Sequence, residues 1–147
     1  MKKFEFSLRK LQNYKEQLLK KEKNTLSDMR KQLQGMYDEK DSLIHDRKKK
    51  NAELTDRINE GLSPQHVMLH KRYIDSITEK IANLEINIEL QQKKIKEQLD
   101  VVVEITKECD SYEKLEKKQL EEYKKVETKQ NELFIEEFVS HSSFIAH

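Results

Sequence analysis

The sequence predicts an all-α fold, a long antiparallel coiled-coil hairpin of two helices with the second the longer. Three observations carry this. From Val67, steps of three and four meet Val67, His70, Ile74, Ile77, Ile81, Leu84, Ile88, Gln91, Ile95, Gln98, Val102, Ile105, Cys109 and Tyr112, of which eleven of fourteen are apolar. A mean step of about 3.5 residues keeps one narrow stripe of a helix against a neighbour. Charged residues make up 39% of the chain, with two glycines and one proline in 147 residues, so turn chemistry is scarce. The one strong interruption is Asn59-Glu60-Gly61-Leu62-Ser63-Pro64.

The first helix is expected over about Phe4 to Asn59. Its apolar positions are Phe4, Leu8, Leu11, Leu18, Leu26, Met29, Leu33, Met36, Leu43, Leu54 and Ile58, with Lys15, Glu22, Lys40 and Arg47 also on the stripe. The phase drifts between Leu18 and Leu26, which changes a supercoil locally without ending a helix. Gly35 is a soft point, costing about 1 kcal/mol relative to alanine. The run Arg47-Lys48-Lys49-Lys50 reads most simply as a solvated face, with a patch for acidic surfaces as the alternative.

Residues 60–63 form the expected turn. Gly61 suits the left-handed residue that closes a helix, and Ser63-Pro64 reads as an N-cap followed by proline at the first helical position. The second helix then runs from 64 to about 139, with a frayed tail over 140–147, and the whole chain, 1–147, reads as one coiled-coil domain. A turn centred near residue 62 makes the numbers of facing residues sum to about 124. Leu54 then meets His70, Leu43 meets Ile81, Leu11 lies near Tyr112, and Phe4 comes opposite Gln119 and Leu120. At 1.5 Å per residue the shared hairpin is roughly 80 Å long. Beyond Leu120 the second helix carries Tyr123, Val126, Leu133, Phe134, Ile135, Phe138 and Val139, with Phe144-Ile145 near the end; such an extension either docks or is disordered.

Composition also narrows function. With 29 basic and 28 acidic residues the net charge is +1, without the basic excess that phosphate binding wants, so nucleic acid is not an expected partner. No secretory signal follows Met1-Lys2-Lys3, no apolar run spans a bilayer, and the single Cys109 sits on the stripe as a small hydrophobe. The expected location is the cytoplasm. There is no glycine-rich phosphate loop, nucleophile elbow, CxxC or HExxH. His66 and His70 are spaced for a metal but find no third ligand, so no metal, cofactor, catalytic residue or small-molecule substrate is expected. Apolar residues off the stripe, Leu69, Tyr73, Ile86, Leu90 and Val103, would be left in water without a partner; those between 69 and 90 read as a contact site.

The opening Phe4-x-Phe6-x-Leu8-x-x-Leu11, the short turn, Tyr73-Ile74-x-x-Ile77-x-x-x-Ile81, Glu113-Lys114-Leu115-Glu116-Lys117 and Lys129-Gln130-Asn131-Glu132 together resemble the FliJ family of the bacterial flagellar type III export apparatus. The resemblance covers nearly the whole chain. It implies a non-catalytic stalk similar to the central gamma subunit of rotary ATPases, cytoplasmic and peripheral at the inner face of the cell membrane. One end enters the hexameric export ATPase and promotes its assembly and activity. A second surface contacts the cytoplasmic region of the export gate membrane protein, and export chaperones are further partners. Carried over by position, the ATPase end is Phe4, Leu8, Leu11, Tyr112, Leu115, Leu120, Tyr123 and Val126. The gate face is Leu43, Leu69, Tyr73, Ile77 and Leu84, with departures at Lys80 and Asp46, where the family pattern wants a smaller or more apolar residue. The alternatives are the equivalent stalk of an injectisome, a general export chaperone or escort, and a structural spacer.

Overall fold

The computed structural model describes residues 2–146, with side chains described through residue 142. Two helices account for nearly all of it: α1 (Arg9–Glu60, 52 residues) and α2 (Pro64–Ala146, 83 residues). The fold is the expected all-α hairpin with the second helix longer. Packing divides the chain into a turn unit, Glu22–Val101, and a terminal unit, Met1–Lys21 with Val102–His147.

In the turn unit the chain reverses as its residue types dictate. Gly61 closes α1 at φ 95° and its N–H donates to the Ile58 carbonyl at 3.1 Å. Ser63 starts α2: its carbonyl accepts from Val67 N–H at 3.0 Å and its Oγ from His66 N–H at 3.4 Å, with Pro64 at the first helical position. A Cβ added at either glycine meets nothing within 4 Å, so backbone conformation alone sets the effect. Gly61→Ala is expected to destabilise by about 1 kcal/mol through left-handed strain, while Gly35→Ala, in the interior of α1, stabilises by about the same amount. Urea unfolding of the two variants should therefore move in opposite directions.

The core of this unit is one stripe per helix. Ile77, Ile81, Leu84 and Ile88 of α2 are buried, and so are Leu26 and Leu54 of α1. Lys40 pairs with Glu85 at 3.4 Å, within one of the register expected from the turn. Gln91 is also buried; its Nε2 donates to the Met29 carbonyl at 3.0 Å and to Gln32 Oε1 at 3.3 Å. One heptad on, Gln98 donates to the Glu22 carbonyl at 3.1 Å and to its carboxylate at 2.5 Å. Donors satisfied in this way make polar stripe positions tolerable and fix the register.

The terminal unit corrects the expected start of α1. Residues 2–6 are not helical, and α1 begins at Arg9 instead of Phe4. Arg9 N–H donates to the Phe6 carbonyl at 3.1 Å and Gln12 N–H to the Leu8 carbonyl at 2.9 Å, so a tight turn leads into the helix. That turn lets Phe6 drop into the core of this unit, where it is 4% exposed. An extended segment advances about 3.3 Å per residue against 1.5 Å in a helix. Phe4 accordingly reaches Tyr123, with ring centroids 5.5 Å apart, instead of Gln119 and Leu120.

The α1 stripe also differs from its apolar outline. All fourteen α2 positions from Val67 to Tyr112 are buried or half-buried as expected, but on α1 Leu11 and Ile58 are exposed. The covered positions leading into and along α1 include Leu8, Gln12, Lys15, Leu18 and Leu19 in the terminal unit and Glu22, Leu26, Met29, Leu33, Met36, Lys40, Leu43, Arg47, Lys50 and Leu54 in the turn unit. Leaving Leu18 aside, these step by four and three; at the drift expected between Leu18 and Leu26, the neighbours Leu18 and Leu19 are both half-buried. Lysines serve at such positions because their methylene stems cover the seam while the ammonium reaches an acid, as Lys15 does with Glu108 at 2.5 Å.

At its far end α2 stays helical through Ser140, His141 and Ser142 to Ala146, past the expected stop near residue 139. Serine and histidine are only moderately unfavourable inside a helix, and no proline or glycine interrupts the stretch. His147, and the side chains of Phe144 and Ile145, lie outside the described residues.

Candidate partner-binding surfaces

The terminal unit brings the residues expected at its end onto one short stretch. Phe4, Leu8, Tyr112, Leu115, Leu120 and Tyr123 are half-buried, each covered on one side and open on the other, while Leu11 and Val126 are exposed. Between them lies a polar lock. Arg9 donates to Glu116 Oε1 at 2.5 Å and to Gln12 Oε1 at 2.7 Å, and Gln12 Nε2 donates to Glu116 Oε2 at 2.9 Å. The Arg9 guanidinium also lies over the Phe6 ring at 5.7 Å. Gln12 is 3% exposed, which only its two partners make possible. Sequence patterning passed over it because it is polar; its four- and three-residue spacing from Leu8 and Lys15 was the available signal.

The hydrogen bonds from Gln12 and then Arg9 hold the Glu116 carboxyl below its ordinary value of 4.5. A lowered folded-state value makes its contribution complete above the unfolded value and lost as the pH falls through the folded one. Glu116→Gln is therefore expected to flatten the acid side of the stability profile of this unit, read by thermal unfolding between about pH 3 and 6. Lys15 is raised, first by its hydrogen bond to Glu108, and its share is lost only as the pH climbs through that raised value. Burial, with Glu16 next, pushes the Cys109 thiol up, so it stays protonated and inert. Tyr123 donates to the Lys2 carbonyl, and its phenol is raised by burial and by Glu127.

In the turn unit the five residues expected on one face do not share it. Leu69 and Tyr73 are exposed at 60% and 50%, and Leu43 is half-buried, but Ile77 and Leu84 are buried in the core. A side chain 3% or 8% exposed has no surface to offer a partner; Ile77 and Leu84 support the face from below. Tyr73 is held across the helix pair: its hydroxyl donates to Asp46 Oδ2 at 3.4 Å and Lys50 Nζ sits 5.7 Å from its ring. Asp46, a departure from the family pattern, thus anchors the aromatic it stands beside. Met68, not among the off-stripe residues expected at this face, is 58% exposed next to Leu69.

The basic run is only partly a solvated face. Arg47 and Lys50 are half-buried on the stripe, Arg47 reaching Thr78 Oγ1 at 3.4 Å and Lys50 pairing with Glu53 at 3.6 Å, while Lys48 and Lys49 are exposed. Exposed Ile86 and Leu90 line a shallow groove with Glu89 and Lys93. Among the described residues, no three His, Cys, Asp or Glu side chains converge as metal ligands. His66 Nδ1 lies 2.5 Å from Ser63 Oγ and His70 Nε2 lies 3.4 Å from Arg57 Nη1. No helix of the described residues is long and apolar enough to cross a membrane.

A family model described as flagellar FliJ protein matches residues 4–145. No curated protein and no solved structure matches the chain.

Proposed function

The chain belongs to the FliJ family and so to the flagellar export apparatus, and from that premise we propose that it is the non-catalytic stalk of that machine, binding the export ATPase ring with its terminal unit and the export gate with its turn unit. The observation that supports this is the placement of half-open apolar side chains in the terminal unit: Phe4, Leu8, Leu115, Leu120 and Tyr123 over a locked polar layer, with Leu11 and Val126 exposed beside them. Side chains covered on one side are already ordered, so a partner that covers the other side loses little entropy in docking.

A stalk without catalytic residues changes hydrolysis by contacting one conformation of the ring more favourably than another. In this reading the ring's own residues perform the chemistry and this chain shifts which subunit arrangement is populated. The gate surface is Leu69 and Tyr73 with Met68 and Leu43 beside them, Ile77 and Leu84 beneath. It works at the cytoplasmic side of the membrane, and export chaperones are candidates for the same exposed apolar residues.

Hydrolysis by the flagellar export ATPase, measured with and without the chain alongside gel filtration of the ring, tests the proposal. A rise in rate together with a shift towards hexamer is expected. An unchanged rate with an unchanged hexamer population removes the stalk reading. Leu69→Asp combined with Tyr73→Asp should leave that stimulation intact and weaken binding to the cytoplasmic region of the gate by about tenfold or more, as for loss of two apolar anchors.

A further inference from the structure

The far part of α2 carries a surface that neither proposed contact uses. From Thr128 to Ser142 every residue is exposed, and five large apolar side chains fall within seven positions: Leu133, Phe134, Ile135, Phe138 and Val139, at 52–69% exposure. Successive residues turn by about 100° around a helix. Phe134, Phe138, Ile135 and Val139 therefore share an arc of about 140°, with Leu133 behind it. Glu137 lies just outside one edge of that arc, and Glu132 and Glu136 lie just outside the other.

The charge around this arc is one-sided. The stretch from Gln130 to His147 holds three glutamates and no lysine or arginine, whereas Lys114 to Lys129 holds six lysines among its glutamates. A helix of this length with a bare apolar arc is marginal in water unless something covers it. Three occupants could do so, and charge separates them. A bilayer surface attracts helices with basic flanks, so acidic flanks oppose the anionic leaflet. A second copy fares no better: antiparallel self-pairing on the arc sets Glu136 against its own copy, and parallel pairing sets Glu132 against Glu137, like charges at the flanking positions in both cases. What remains complementary is an apolar groove with a positive rim on each side.

We propose that residues 132–139 form a docking helix for a different protein that offers an apolar groove rimmed on both sides by lysine or arginine. Phe134 and Phe138, one turn apart, are the anchors that enter the groove. The three glutamates align the helix and speed encounter through the rim charges. This surface is separate from the half-buried apolar residues that end near Val126, so it goes beyond the stalk reading and does not depend on it.

The test uses the full chain and a fluorescent amphipathic helical peptide of leucine and lysine, with a leucine and glutamate peptide of the same pattern as control. The leucine–lysine peptide is expected to bind and its control is not. Phe134→Ser with Phe138→Ser, at exposed positions that leave the core untouched, should weaken binding by about tenfold or more. Glu132→Lys, Glu136→Lys and Glu137→Lys together should weaken it similarly and switch preference to the control peptide. Equal binding of both peptides, or variants that bind like the parent, overturns the proposal. So does flotation of the chain with phosphatidylglycerol vesicles, or a dimer in sedimentation that the two serine substitutions dissolve. Unaltered ATPase stimulation by the serine variant distinguishes this surface from the stalk contact.

Discussion

An Ile81→Asp chain is expected to lose the packed turn unit, with stability falling by about 4 kcal/mol, a large part of what holds any small domain together. Ile81 is 5% exposed, between Ile77 and Leu84 on the stripe. Aspartate there removes the apolar contacts and brings a carboxylate into an apolar seam at a level where Lys40 already pairs with Glu85 and Arg47 reaches Thr78. Ile86→Asp makes the same chemical change on the same helix at a position 58% exposed, and should cost no more than about 0.5 kcal/mol. Urea unfolding followed by far-ultraviolet circular dichroism compares the two. Similar losses at both positions would mean that the stripe is not what holds the unit together.

That contrast explains how much the sequence disclosed. The α2 stripe was legible because eleven of its fourteen positions are apolar, and burial follows it without a slip. The α1 stripe was only half legible: spacing placed Lys15, Glu22, Lys40 and Arg47 on it, but Gln12 and Lys50 were passed over, because apolar patterning skips polar residues. Gln12 and Lys15 are covered with the help of partners far along the chain, Glu116 and Glu108, which no local period reveals. The turn, expected over 60–63 and found between Glu60 and Pro64, was readable to within one residue, since Gly61 and Ser63-Pro64 act through their own backbone. The start of α1 was not, because Phe6 leaves the helix to fill the core, and that reward is tertiary.

The candidate surfaces divide along the same line. Leu69 and Tyr73 could be named from their position off the stripe, and they are exposed. Ile77 and Leu84 were assigned to that face by resemblance although they belong to the stripe, and the core claims them. A residue with period 3.5 to the seam belongs to the seam first, whatever surface its neighbours form.

Phe6→Ala gives the second large effect, and it links the fold of the terminal unit to the proposed contact. Removing a nearly fully buried phenylalanine costs about 3 kcal/mol, at the lower end for such truncations because one cavity wall faces a thin core. Phe6 is also what turns the segment before α1 inward, its carbonyl accepting from Arg9 and its ring lying under the guanidinium. Without that ring the segment loses its anchor, and Phe4 loses the geometry that holds it against Tyr123. The expected result is a chain that keeps the helix content of its turn unit, melts earlier, and no longer stimulates the export ATPase. Leu11→Ala separates packing from contact: at 49% exposure it should barely change the melting temperature, yet weaken stimulation if the ring covers it. Should Phe6→Ala melt earlier and still stimulate hydrolysis fully, the ordered N-terminal segment is no part of the ring contact, and the contact must rest on α2 alone.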